Sequence, residues 1–237
     1  MNLHTFFHDL CVMELSDLMY GDESTAESPT ITMRHKLTPI LNSVLSQIYI
    51  DFWIQQKELV LRTDANITVY YLRPEHAVST GGVSPKYIID SIANPFLGDL
   101  VRVDEILDEH GNTVFNNHYN AVGGDVRCPQ WDAISFQYPM DNKEYLIRYR
   151  VSAPQFTQNM SAEGTSTQLL LPPGFLDLVR CKIAERMYGA QKTQESITKS
   201  EHYKMEGAVI EARLVKEGIT FMDNIDLNKK PAIRGFP

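Results

Sequence analysis

NSVLSQIYIDFWIQQKELVLRT, residues 42–63, changes character halfway along. Val44, Leu45, Ile48, Phe52 and Trp53 continue an apolar stripe that opens at Leu37, Ile40 and Leu41, with the spacings of three and four that one helix face requires. The stripe predicts a helix over about 31–53. Thr38-Pro39 lies within it, so either the helix starts there with Thr38 as cap, or Pro39 kinks it. KELVLRT (57–63) then reads as a strand. A helix running straight into a strand, in a chain with further helices and strands on either side, predicts an α+β fold.

Downstream of this junction the strands read in pairs. KELVLRT and NITVYYL (66–72) suggest one hairpin, and residues 99–108 and 113–117 a second with Gly111 in the turn. AISFQY (133–138) and EYLIRYRV (144–151) suggest a third. Short strands with irregular Pro, Gly and Asn connections fit an antiparallel barrel or sandwich. Strands do not alternate with amphipathic helices, which argues against a doubly wound nucleotide fold.

Outside the strand region the pattern is helical. Residues 3–19 carry Leu3, Phe6, Phe7, Leu10 and Leu15 at helical spacing, and 21–30 is a polar loop. Leu171-Pro172-Pro173 introduces a helix over about 173–188, and a second follows over about 191–217. The apolar face read on the second helix is small: Met205, Ala208, Val209, Ala212 and Val215. A helix so thinly apolar needs a neighbour, in this chain or another. Residues 219–237 show neither period. They space Phe221, Met222, Ile225, Leu227, Ile233 and Phe236 among polar residues, as in an extended arm that docks on a partner.

The chain has 237 residues and a formal charge of −8, with no basic excess for gripping nucleic acid by counterion release. Six carboxylates and no Lys or Arg fall within residues 1–30. Cys11, Cys128 and Cys181 are scattered, which indicates neither a disulfide framework nor a zinc site and suits a reducing compartment. There is no secretory signal pattern and no apolar run long enough to span a membrane.

Catalytic chemistry is hard to assemble from these residues. His4, His8 and Asp9 lack a nearby third metal ligand. Cys128, with His110 and His118 upstream, is better read as an idle thiol than as a nucleophile. Gly81-Gly82 and Gly123-Gly124 precede no helix that could cradle a phosphate. The carboxylates Asp99, Asp104, Glu105, Asp108 and Glu109 lie on or beside a hairpin without an evident acid/base pair. Trp53 and Trp131 read as core or interface residues. No catalytic residue, metal or cofactor is assigned.

The order of elements carries one resemblance. Residues 42–63, a β-rich insert, and LPPGFLDLVRCKIAERMYGAQKTQESITKSEHYKMEGAVIEARLVKEG (171–218) with its Tyr-Gly-Ala turn resemble the head-to-tail adaptors of short-tailed bacteriophages, the tail tubular protein A type. The likeness is one of layout over about 31–218. It implies helices 1–56 and 171–218 forming one bundle, an inserted β region at 57–170, and a docking arm at 219–237. It further implies a virion protein at the head–tail junction, assembled in the host cytoplasm. Such a protein is a homo-oligomeric ring, twelve-fold, that joins portal protein to tail nozzle or hub and encloses the DNA exit channel. Adaptors are scaffolds, so the resemblance carries over no catalytic residue. The insert and arm look larger than in the shortest members, which leaves their contacts open.

Independent features agree with this layout. Small residues on the last helix permit close helix approach, and an acidic balance keeps a sliding duplex from sticking. Two other classes remain open on the residues alone. A β-sandwich binding or adhesion component of a tail predicts a Trp- and Tyr-lined cleft, and a hydrolase hidden in the insert predicts convergent carboxylates or a Cys/His pair.

Overall fold

A computed structural model describes residues 1–18, 31–52, 54–80, 82, 84–116, 126–161 and 166–217. The fold is α+β, and the chain divides into two compact units, each with its own core. The described parts of Met1–Ile54, together with those from Ala153 onward, form a helical unit; Gln55–Ser152 forms a β unit.

The helical unit contains α1 (Leu3–Val12), α2 (Ile31–Asp51), α3 (Pro173–Gly189) and α4 (Gln194–Lys216). Asn2 caps α1 by accepting from the His4 amide at 2.8 Å. The first helix is shorter than expected: it stops at Val12, and a single 3-10 turn covers Ser16–Leu18. The second helix runs through Pro39 instead of starting there. Thr38 does not cap; its hydroxyl donates back to the Arg34 carbonyl at 2.8 Å. The apolar stripe explains the continuity, because Leu37 before the proline and Leu41, Val44, Leu45 and Ile48 after it are all fully buried.

Residues 153–170, read from sequence as part of the insert, supply Ala153, Phe156 and Leu169 to the helical core. The Asn42 side chain holds this segment on α2, donating to the Phe156 carbonyl at 2.8 Å and accepting from its amide at 2.9 Å. Leu3 N–H donates to the Thr167 carbonyl and Leu169 N–H to the Met1 carbonyl, tying the segment to the start of α1.

The β unit holds β1 (Gln56–Arg62), β2 (Val69–Tyr71), β3 (Ile88–Ile89), β4 (Leu100–Leu107), β5 (Thr113–Asn116), β6 (Val126–Gln130), β7 (Ala133–Phe136) and β8 (Glu144–Val151). Two sheets form, in the orders β3-β1-β8-β4-β5 and β2-β7-β6, and among the described residues their strands pair antiparallel. Neither closes into a barrel. Both contribute to one core, with Leu59, Leu61 and Ile147 from the larger sheet and Tyr70, Ile134 and Phe136 from the smaller.

Only the middle of the three expected hairpins forms. The β4–β5 turn is built by Asp108, whose carboxylate accepts from the His110 and Asn112 amides, with Gly111 at φ +79°. The first hairpin does not form, because β1 pairs with β8 and β3 while β2 pairs with β7. The third does not form for the same reason: β7 and β8 belong to different sheets. The switch is made at Thr63 and Asp64. Thr63 N–H donates to the Lys143 carbonyl and its hydroxyl to the Met140 carbonyl, fastening the end of β1 to the start of β8. The Tyr70 hydroxyl then accepts from the Asp64 amide and donates to the Asp64 carbonyl, turning the chain out of the first sheet and into the second.

Candidate functional site

The last helix has two faces of different fate. Ser196, Gly207 and Leu214 are buried, and Tyr203 and Ile210 pack half-buried against the same core. At about 100° per residue these five lie on one line along α4. The Tyr203 ring stacks on Tyr188 of α3, with centroids 5.8 Å apart, and both hydroxyls donate to the Glu14 carbonyl, at 3.2 and 3.0 Å. Thr193 caps the helix by accepting from the Ser196 amide, and Ser200 donates to the Glu185 carbonyl at 3.0 Å. Lys199 pairs with Asp17 and, at 3.2 Å, with Glu195.

Met205, Ala208, Val209 and Ala212 lie on nearly the opposite side of α4. All four are exposed, Met205 by 64% and Val209 by 70%, while Val215 is half-buried. The expected apolar face is therefore not the one this chain uses internally. Spacing carried a signal for the buried face: 196, 203, 207, 210 and 214 recur at seven, four, three and four. It was hidden because Ser196, Tyr203 and Gly207 do not count as an apolar stripe. The arm residues Phe221, Met222, Ile225, Leu227, Ile233 and Phe236 lie outside the described residues, as do Trp53 and His118.

In the β unit a groove of about 820 Å³ runs beside β1, lined by Glu58, Leu59, Val60, Phe96, Leu146 and Tyr149 among others. The two-residue β3 pairs with β1 at Val60 and Leu61, and among the described residues no strand pairs with the first half of β1 on that side. Loop 90–96 walls the groove. Asp90 shapes that loop by accepting from the Ser79 amide and hydroxyl and from the Phe96 amide. Burial pushes the Asp90 carboxyl up, but these hydrogen bonds outweigh it and hold the group below its ordinary range. Lys57 Nζ meets Asp99 at 2.6 Å, and the Tyr149 hydroxyl lies 3.3 Å from the same carboxylate. Burial first, then the Asp99 charge, raises the Tyr149 phenol.

The remaining carboxylates singled out from sequence have structural partners. Asp104 is buried in the ladder between β4 and β8, with Arg150 Nε at 3.2 and 3.1 Å from its two oxygens. Register shifts on either side place Arg102 directly opposite Arg150, and Arg102 Nε is 3.7 Å from Asp104, so one carboxylate lies close to two guanidinium groups. Glu105 and Glu58 both accept from Arg148, at 2.9 and 2.8 Å, in a tie across three strands. Burial pushes the thiols up, Cys128 to about 12, Cys181 to about 12 and Cys11 to about 11, which favours the protonated thiol at neutral pH. Among the described residues no hydrogen bond or ion pair joins Cys128 to His110, and no group of three or more His, Cys, Asp or Glu is placed to hold a metal ion. No described helix is long and apolar enough to cross a membrane. Trp131 is 63% exposed in the β6–β7 turn, not in the core.

No family model matches the sequence. No curated protein matches it either.

Proposed function

We propose that this protein is a virion structural protein, a head-to-tail adaptor. Twelve copies form a closed ring that joins a portal protein to the tail nozzle or hub and surrounds the channel through which DNA leaves. In this reading the four helices are the ring-building bundle, the β unit is the insert, and no step of the function is catalytic. DNA passes without sequence-specific contact, consistent with the net charge of −8.

The observation that carries the reading is the second face of α4. One side of the helix is fixed to its own chain by Tyr203, Gly207 and Leu214. The other presents Met205, Ala208, Val209 and Ala212 to solvent, a low-relief surface on which a neighbouring helix can lie close. The layout supports it as well: a helical unit assembled from both ends of the described chain, with a β unit inserted between. Sedimentation of the full chain, alone and mixed with portal rings, tests the reading. Co-migration as a defined multimer is expected; a monomer at every concentration that never co-migrates with portal refutes it.

A further inference from the structure

We propose that residues 219–237 of one copy add as an extended strand to the open edge of β1 on a second copy. This rests on the ring reading above and names the contact that links neighbouring subunits.

The backbone of β1 supplies the acceptor. Thr63 N–H points to the β8 side, donating to the Lys143 carbonyl, and Arg62 N–H points the other way, donating to the Tyr87 carbonyl. Alternation along an antiparallel ladder therefore sets the N–H and C=O groups of Gln56 and Glu58 on the side away from β8. The register with β3 covers only Val60 and Leu61, so among the described residues this half of the edge has no strand beside it. An unpaired edge of this kind is a template for another extended segment. It is a groove and not a bare rim, because Pro95 and Phe96 wall it and Leu59 and Tyr149 give it apolar lining.

The occupant is argued from the chain beyond α4. Residues 219–237 can extend about 60 Å, long enough to reach an adjacent copy. The arm as a whole keeps no period, but the five residues Asn224-Ile225-Asp226-Leu227-Asn228 alternate polar and apolar, enough to give a short added strand one apolar and one polar side. Lys229 and Lys230 follow, opposite in charge to Glu58 and Asp90 on the groove; the Glu58 side chain stays 51% exposed while it accepts from Arg148. Each copy then carries one donor segment and one acceptor edge, a heterologous contact of the kind that builds a ring where the rotation between copies closes.

Isotope-resolved crosslinking tests this. The full chain, with a photoreactive phenylalanine analogue in place of Asp226, is made in light and heavy forms, mixed, and irradiated alone and with portal. Crosslinks from position 226 to residues 56–60 or 94–96 should join light to heavy chains. Gln56→Pro removes an N–H that faces the groove and leaves the β1–β8 ladder bonds and the Glu58–Arg148 pair in place, so circular dichroism should be unchanged while heavy–light yield falls roughly tenfold. Leu227→Pro, on the donor segment, should do the same without touching either folded unit. Crosslinks confined to single-isotope chains, crosslinks landing elsewhere, or yields indifferent to both prolines overturn the proposal. A closed ring accompanied by any of these retains the adaptor reading and removes this one. Heavy–light crosslinks at the β1 edge without a closed ring do the reverse.

Discussion

Met205→Gln combined with Val209→Gln separates assembly from folding. Glutamine keeps a favourable helix propensity in place of methionine and improves on valine, and neither native side chain is in the chain's own core. Full burial of such side chains contributes about 1.5–3 kcal/mol each. With 64% and 70% of these two residues still open to solvent, roughly two thirds of that, or about 1–2 kcal/mol each, is left for a neighbour. Losing both therefore costs about 2–4 kcal/mol per subunit contact, a roughly 30- to 700-fold weaker association. Surface changes of this kind move folding stability by about 0.5 kcal/mol or less, within about 2 °C in melting temperature. Sedimentation velocity across a concentration series, with and without portal, reads the first effect, and thermal circular dichroism the second. The reasoning is refuted if assembly is unchanged, or if the double variant melts many degrees lower, since the latter would place these residues in the chain's own core.

Three further outcomes follow from the β unit. Asp104→Ala leaves Arg150 buried and Arg102 opposite it without the carboxylate, and should destabilise the unit by about 3–5 kcal/mol in urea unfolding followed by near-ultraviolet circular dichroism; adding Arg150→Met should recover part of the loss. Asp90 has a folded pKa below its unfolded value, so its contribution is complete above the ordinary carboxylate pKa of about 3.9 and is lost as pH falls through the lower folded value; hydrogen exchange at the Phe96 and Ser79 amides, corrected for intrinsic rates, should lose protection in that acid window and not at pH 5–7. The Cys128 thiol, pushed up to about 12 by burial, should react with a disulfide reagent at pH 8 far more slowly than free cysteine, and Cys128→Ser should leave ring assembly intact.

The α+β class and the helices were legible because their signals are local. Leu37 to Phe52 keep a helical period, and that stripe outvoted Pro39. The β4–β5 hairpin was legible for the same reason, since Asp108 and Gly111 make the turn within a few residues. The other two hairpins misled because their partners are distant: Gln56 pairs with Arg150 and Arg62 with Glu144. What redirects β1 is a set of hydrogen bonds from Thr63 to Met140 and Lys143, which leaves no periodic trace. On α4 the buried face leaves no apolar stripe in the sequence, since Gly207 lies against Cys181 and Leu178 of α3 without counting as apolar and Tyr203 contributes by stacking on Tyr188. The open edge of β1 was out of reach in sequence, because it depends on β3 being only two residues long.

Electron microscopy of the full chain assembled on portal rings tests the central claim most directly. The account predicts a closed ring of twelve copies coaxial with the portal, with the Met205–Ala212 face of each α4 against the next subunit and an open channel along the axis. Particles in which the protein decorates portal as isolated monomers, forms no closed ring, or leaves that face of α4 in solvent contradict it.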